Sequence, residues 1–153
     1  MIIFSKRLKT TFKFFIILCL SGPLNSFSDI SKAFPDMTNV FTDIDFYNES
    51  KELEKFIDYK DKVLLVFFGY THCPDVCPTT VLDMARVMKA LGDDSDEVLP
   101  IFISVDHRRD DYVTVRNYVD FFDTRVAALT SDKENMDKLT KLFKTKYELV
   151  DPT

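Results

Sequence analysis

The stretch Lys62-Val-Leu-Leu-Val-Phe-Phe-Gly-Tyr-Thr-His-Cys-Pro-Asp-Val-Cys-Pro78 decides the fold. After Lys62, Val63 to Phe68 form an unbroken run of branched and aromatic residues closed by Gly69, which predicts for Lys62 to Phe68 a strand buried on both faces. Pro78 suits the first turn of a helix, where its missing N–H costs nothing. Val81, Ala85, Met88 and Leu91 then recur at three- and four-residue spacing until Gly92, so a helix follows. Cys73 and Cys77 stand at the junction of strand and helix.

The alternation continues downstream. Leu99 to Val105 predict a second buried strand that ends in the polar cluster Asp106-His-Arg-Arg-Asp110. Tyr112, Val115, Val119 and Phe122 line one face of a second helix, and Val126 to Leu129 make a short third strand. Ser131 with Glu134 reads as a capping box opening a helix whose inner face is Met136, Leu139 and Phe143. Strands alternating with helices imply crossover connections, hence an α/β domain with a mainly parallel sheet and helices on its faces.

Upstream, residues 29–46 are mixed, contain Pro35 and predict a tether with a short strand near Ile44 to Tyr47. Leu53, Phe56 and Ile57 form a weak helical stripe, and the globular domain is placed at 47–153. Residues 1–28 carry the basic cluster Lys6, Arg7, Lys9 and Lys13, the apolar run Phe14 to Leu20, then Ser21-Gly-Pro23. Seven apolar residues are too few for a helix across a hydrocarbon layer, which takes roughly 20, so the segment predicts a signal peptide cut near Gly22 or after Ser28. An uncleaved membrane anchor and a buried helix are the alternatives. Cys19 follows Leu18 rather than a small residue, which argues against lipidation.

The chain has 153 residues, 46% of them apolar and 14% aromatic, enough for one packed core. Its net charge is −5, and four of its basic residues precede the first acid, Asp29, so the remainder is more acidic still. A chain of that sign repels phosphate backbones, which excludes nucleic acid as the expected partner. Three glycines leave no phosphate-cradling loop.

Export leaves Cys73 and Cys77 as the only thiols of the mature chain, in a compartment that permits disulfides. The carboxyl end of a parallel strand is where open α/β sheets bind ligands, and a helix start favours thiolate over thiol. Two thiolates could bind a soft metal, Cu(I), zinc or an iron–sulfur cluster, or cycle as a dithiol–disulfide couple. A structural disulfide is the third alternative, although closing so short a loop removes little unfolded-state entropy.

The segment Phe67-Phe-Gly-Tyr-Thr-His-Cys-Pro-Asp-Val-Cys-Pro78, followed by Ile101-Phe-Ile-Ser-Val-Asp106 and a charged cluster, closely resembles the Sco/SenC family over about Lys62 to Tyr147. Members are thioredoxin-fold copper chaperones for cytochrome c oxidase assembly. The resemblance implies that Cys73 and Cys77 bind copper, that a membrane tether is present, and that the acceptor is the binuclear copper centre of oxidase subunit II. The rival activity is thiol–disulfide exchange on the oxidase cysteines, with the same two residues as the redox pair. The implied location is the bacterial periplasm at the inner membrane, with the mitochondrial intermembrane space as the alternative.

Two departures stand out. The family's third copper ligand is a histidine in a carboxyl-terminal hairpin, and this sequence reaches Asp151-Pro-Thr153 without it. The expectation is therefore an incomplete thioredoxin-like fold lacking that hairpin and the last helix, with an open edge on the cysteine-bearing strand, and an inactive remnant becomes a third outcome. His107 stands where the family usually has proline. It lies at the same sheet edge as the cysteines and is either a substitute ligand or a solvated loop residue beside Arg108 and Arg109. His72 is expected to point away from Cys73, Asp75 toward solvent, and Asp106 to order its loop.

Overall fold

A computed structural model of the chain describes residues 41–57, 59 and 62–150, which fall within one compact unit, Met37–Thr153. The expected signal peptide and most of the tether lie outside the described residues. A parallel three-stranded sheet forms from β3 (Val63–Gly69), β4 (Val98–Ser104) and β5 (Ala127–Leu129), in the order β3-β4-β5. Its register pairs Gly69 with Ser104 and Ile103 with Leu129, so the cysteine loop and the 105–110 turn leave the sheet side by side. Helices α1 (Val76–Leu91), α2 (Tyr112–Asp120) and α3 (Lys133–Leu142) supply the crossovers, with a short 3-10 turn at Gly92–Glu97. The hairpin β1 (Asp45–Tyr47) and β2 (Leu53–Lys55) precedes them.

Successive side chains of a strand face opposite ways, and β4 uses both faces. Ile101 and Ile103 join Met136, Leu139, Phe41 and Phe46 on one side, while Phe102 joins Val81, Met84, Val115, Val119 and Val126 on the other. Ile101, Phe102 and Ile103 are fully buried, and each such side chain contributes about 1.5–3 kcal/mol by leaving water.

Three local expectations are corrected. Phe41, Ile44 and Phe46, assigned to the tether, are buried in the first of these clusters. Phe41 packs its ring against Phe46, Phe56, Tyr59 and Phe143 at centroid distances of 5.4–6.2 Å, and Tyr47 N–H donates to Thr130 O at 2.9 Å. Partners about ninety residues away bury this segment, and no local periodicity records them. The stripe at Leu53, Phe56 and Ile57 is not helical. Asn48 Oδ1 accepts from Ser50 N–H at 2.9 Å and Glu52 N–H at 3.0 Å, folding a turn that returns the chain as β2. The cap of α3 is Asp132 rather than Ser131, its carboxylate accepting from Asn135 N–H at 2.8 Å. Ser131 instead is fully buried and donates to Asp45 O.

Strand β3 also differs from expectation: Val63 is exposed, Leu64 to Phe68 are half-buried and Gly69 is buried. Among the described residues no strand pairs with its outer edge, so these side chains have sheet neighbours on one side alone. Losing the Asp132 cap should cost a modest amount. Asp132→Ala is expected to lower unfolding stability by about 1 kcal/mol, checked by urea denaturation; no change would mean the α3 start draws nothing from that carboxylate.

Candidate functional site

Cys73 lies in the turn between β3 and α1, closed by its own N–H donating to Tyr70 O at 3.3 Å. Cys77 is the second residue of α1. The pair therefore joins a turn to a helix start and does not share one helical face. Asp75 caps α1 without a side-chain hydrogen bond. Cys77 N–H donates instead to Cys73 Sγ at 3.4 Å. First-turn N–H groups have no partner inside the helix, so the sulfur satisfies one of them and gains the favourable field of the helix start.

Both thiols are free, and they are unequal. Cys77 is 3% exposed, whereas Cys73 is half-buried. For Cys73, burial is the largest influence and opposes ionisation. The Asp75 N–H, the Cys77 thiol and N–H and the Tyr70 hydroxyl together outweigh it, holding the thiol below its ordinary value. For Cys77, burial comes first, and the hydrogen bond to Cys73 with the charges of Cys73 and Asp110 adds to it, so its pKa is pushed up to about 11. A lower pKa means more thiolate at a given pH. With Cys19 replaced by serine, iodoacetamide near neutral pH is expected to label Cys73 before Cys77, as read by peptide mass spectrometry. Cys77 labelled first would contradict the electrostatics above.

The surroundings of Cys77 are tight on one side and open on another. A Cβ on Gly69 would sit 2.8 Å from Phe102 Cε2 and 3.1 Å from Cys77 Sγ, so glycine is what lets the end of β3 approach the sulfur. Beyond, a mainly apolar cleft of about 250 Å³ is bordered by Phe68, Tyr70, Val76, Cys77 and Tyr147.

A buried carboxylate holds the cysteine loop. Asp110 Oδ2 accepts from Thr71 N–H at 2.8 Å and from Ser104 Oγ at 2.5 Å, and Oδ1 accepts from Thr71 Oγ1 at 2.6 Å. Sequence reasoning gave Asp110 and Thr71 no individual role: thirty-nine residues separate them, although Thr71 stands just past one predicted strand and Asp110 closes the polar cluster that follows the next. Asp106, expected to order its loop, is 1% exposed and pairs with Arg109, while its Oδ1 has no hydrogen-bond partner among the described residues.

The histidines stand apart from the pair. His72 is exposed, with Nδ1 3.1 Å from Thr71 Oγ1. His107 is half-buried and borders a different cleft of about 420 Å³ with Lys51, Arg108 and Tyr112. Among the described residues, no three His, Cys, Asp or Glu side chains come together as a metal cluster. Asp75 is exposed. No described helix is long and apolar enough to cross a membrane.

Comparison with known proteins agrees with this layout. The chain is 26% identical over 136 residues to a SCO2-like protein of Rickettsia felis, matching 89% of this chain and 66% of that protein, so it spans just under two thirds of the relative's length. It is 35% identical over 92 residues to the human mitochondrial SCO1 homologue, which is 59% of this chain and 31% of that one. Among solved structures, Bradyrhizobium japonicum ScoI with copper bound superposes with a TM-score of 0.61 at 35% identity over 72% of each chain, and the shared architecture is the thioredoxin-like fold. The family model described as SCO1/SenC matches residues 35–153, from before the buried Phe41 through the cysteine loop and the whole parallel sheet, and on that match the chain belongs to the SCO1/SenC family.

Proposed function

We propose that the chain carries copper as cargo, held by Cys73 and Cys77, and serves cytochrome c oxidase assembly by passing it to the binuclear copper centre of subunit II. The observation that carries this is the pair of free thiols at the carboxyl edge of the sheet, one ionising readily beside a helix start. Two soft sulfurs suit Cu(I), and a site with so few donors yields its ion by ligand exchange to an acceptor with more. The copper-bound relative supports the same cargo. The proposed setting is the bacterial periplasm with the amino-terminal segment as leader or tether, the mitochondrial intermembrane space being the alternative.

A Cu(I) competition titration of the full chain tests this. One ion per chain is expected, held more weakly and exchanged more readily than by a three-ligand site, lost in the Cys73→Ser/Cys77→Ser double variant and retained in Cys19→Ser. Binding that survives the double variant would remove the pair from the site.

The unequal thiols also favour a second reading, thiol–disulfide exchange. The Cys73 thiolate would attack a substrate disulfide and the Cys77 thiol, once deprotonated, would displace the product, leaving substrate reduced and the pair oxidised. Turnover of insulin disulfides with glutathione as reductant and no copper dependence would select it. A far-ultraviolet circular dichroism melt without cooperativity would select an inactive remnant instead.

A further inference from the structure

Asp110 is the polar residue that connects every strand end around the cysteine loop. Its side chain is fully buried; the described contacts give it no arginine or lysine, and the basic group nearest its Oδ1 is the exposed His72 ring, with Nδ1 at 3.6 Å. Its carboxylate accepts from the Thr71 N–H, the Thr71 hydroxyl and the Ser104 hydroxyl, and its backbone carbonyl accepts from Thr130 Oγ1 at 2.9 Å. Ser104 ends β4 and Thr130 follows β5, so Asp110 is anchored to the sheet on two sides. Thr71 is the second residue of the Tyr70–Cys73 turn, held twice by one carboxylate. Hydrogen bonds to a charged acceptor are about twice as strong as neutral ones, and a buried acceptor set of this kind has few alternative arrangements.

From this geometry we infer that Asp110 is a positioning residue: by clamping the amide and hydroxyl of Thr71 it fixes the turn that sets Cys73 Sγ against the start of α1 and thus against Cys77. The inference rests on the cysteine pair being the working site. Loss of the clamp frees the turn, so the two sulfurs meet less often.

The test uses the full chain with Cys19→Ser as background and two readouts. The first is equilibrium with glutathione: two cysteine thiols and one glutathione disulfide give the Cys73–Cys77 disulfide and two glutathione thiols, both electrons and both protons passing to glutathione. Its equilibrium constant is the effective concentration of one thiol toward the other. The second is Cu(I) affinity by competition. Asp110→Ala is expected to lower both by about tenfold, the scale on which loss of an outer hydrogen-bond partner weakens a site. Thr71→Val, which removes one of the two links, should move both the same way by less. Asp110→Asn should restore them, since its amide oxygen can accept from Thr71 N–H and Ser104 while its NH2 donates to Thr71 Oγ1.

Ser104→Ala separates positioning from general support. It strips the same buried carboxylate of a partner without touching the turn, so it should lower the unfolding temperature and leave both readouts in place. The inference is overturned if Asp110→Ala, or Thr71→Val should the former not fold, leaves the glutathione equilibrium unchanged. It is equally overturned if Ser104→Ala shifts that equilibrium as far as Asp110→Ala does. Wild-type protein showing no cysteine-dependent Cu(I) binding would refute the proposed function alone, because the glutathione measurement needs no metal.

Discussion

Replacing Cys77 by serine is expected to remove Cu(I) binding from the full chain, a loss well beyond the roughly 10–100-fold that an outer hydrogen-bond partner is worth to a metal site. Serine keeps the size and the helix start but presents a hard, neutral oxygen where a soft thiolate would bind. One donor then remains, and a single half-buried thiolate competes poorly with any chelator. The backbone link survives, because Cys77 N–H, not its side chain, donates to Cys73 Sγ. The variant should therefore retain the lowered Cys73 pKa in part, losing only the contribution of the Cys77 thiol. Two measurements check this: competition titration for the ion, and the pH dependence of Cys73 alkylation for the thiol. Undiminished Cu(I) affinity in Cys77→Ser would show that the buried sulfur is a bystander.

The second large effect is on stability. Phe102→Ala is expected to cost about 3–5 kcal/mol, the usual range for emptying a buried aromatic site. That is a large share of the roughly 5–15 kcal/mol by which domains are stable. Phe102 is wholly buried, lies between Phe67 and Tyr118 at centroid distances of 5.7 and 5.4 Å, and limits the space over Gly69. Phe121→Ala is the control: that ring is 84% exposed, and surface substitutions usually stay within about 0.5 kcal/mol. Thermal or urea unfolding of the two variants compares them directly, and similar midpoints would contradict the placement of the core.

These two phenylalanines show how far the sequence could be read. Phe102 lies in a continuous run of β-branched and aromatic residues, whose burial in a parallel sheet is dictated by composition alone. Phe121 follows Asp120 at the end of a helix, and its pattern does not say on which side it will fall. Val115, Val119, Met136 and Leu139 were legible for the same reason as Phe102: their spacing leaves one helical face apolar. Phe41, Ile44 and Phe46 were not, because their burial comes from Phe143, Met136 and the start of α3, and a mixed segment without period gives no warning of distant partners.

From Val63 onward the order of strands and helices, and the setting of Cys73 and Cys77 between a strand and a helix, followed from the amino acids themselves, since hydrophobic period and a proline in the first turn are local properties of the chain; the β1–β2 hairpin did not. Tertiary structure decided what those cysteines are chemically. Packing of Gly69 and Phe102 around α1 buries one sulfur and raises its pKa, the turn leaves the other half-exposed where the Asp75 and Cys77 amides donate to it, and Asp110, thirty-nine residues from Thr71 in sequence, holds that turn in place. Burial and field are sums over neighbours that only the folded chain assembles, which is why two identical residues four positions apart become different acids.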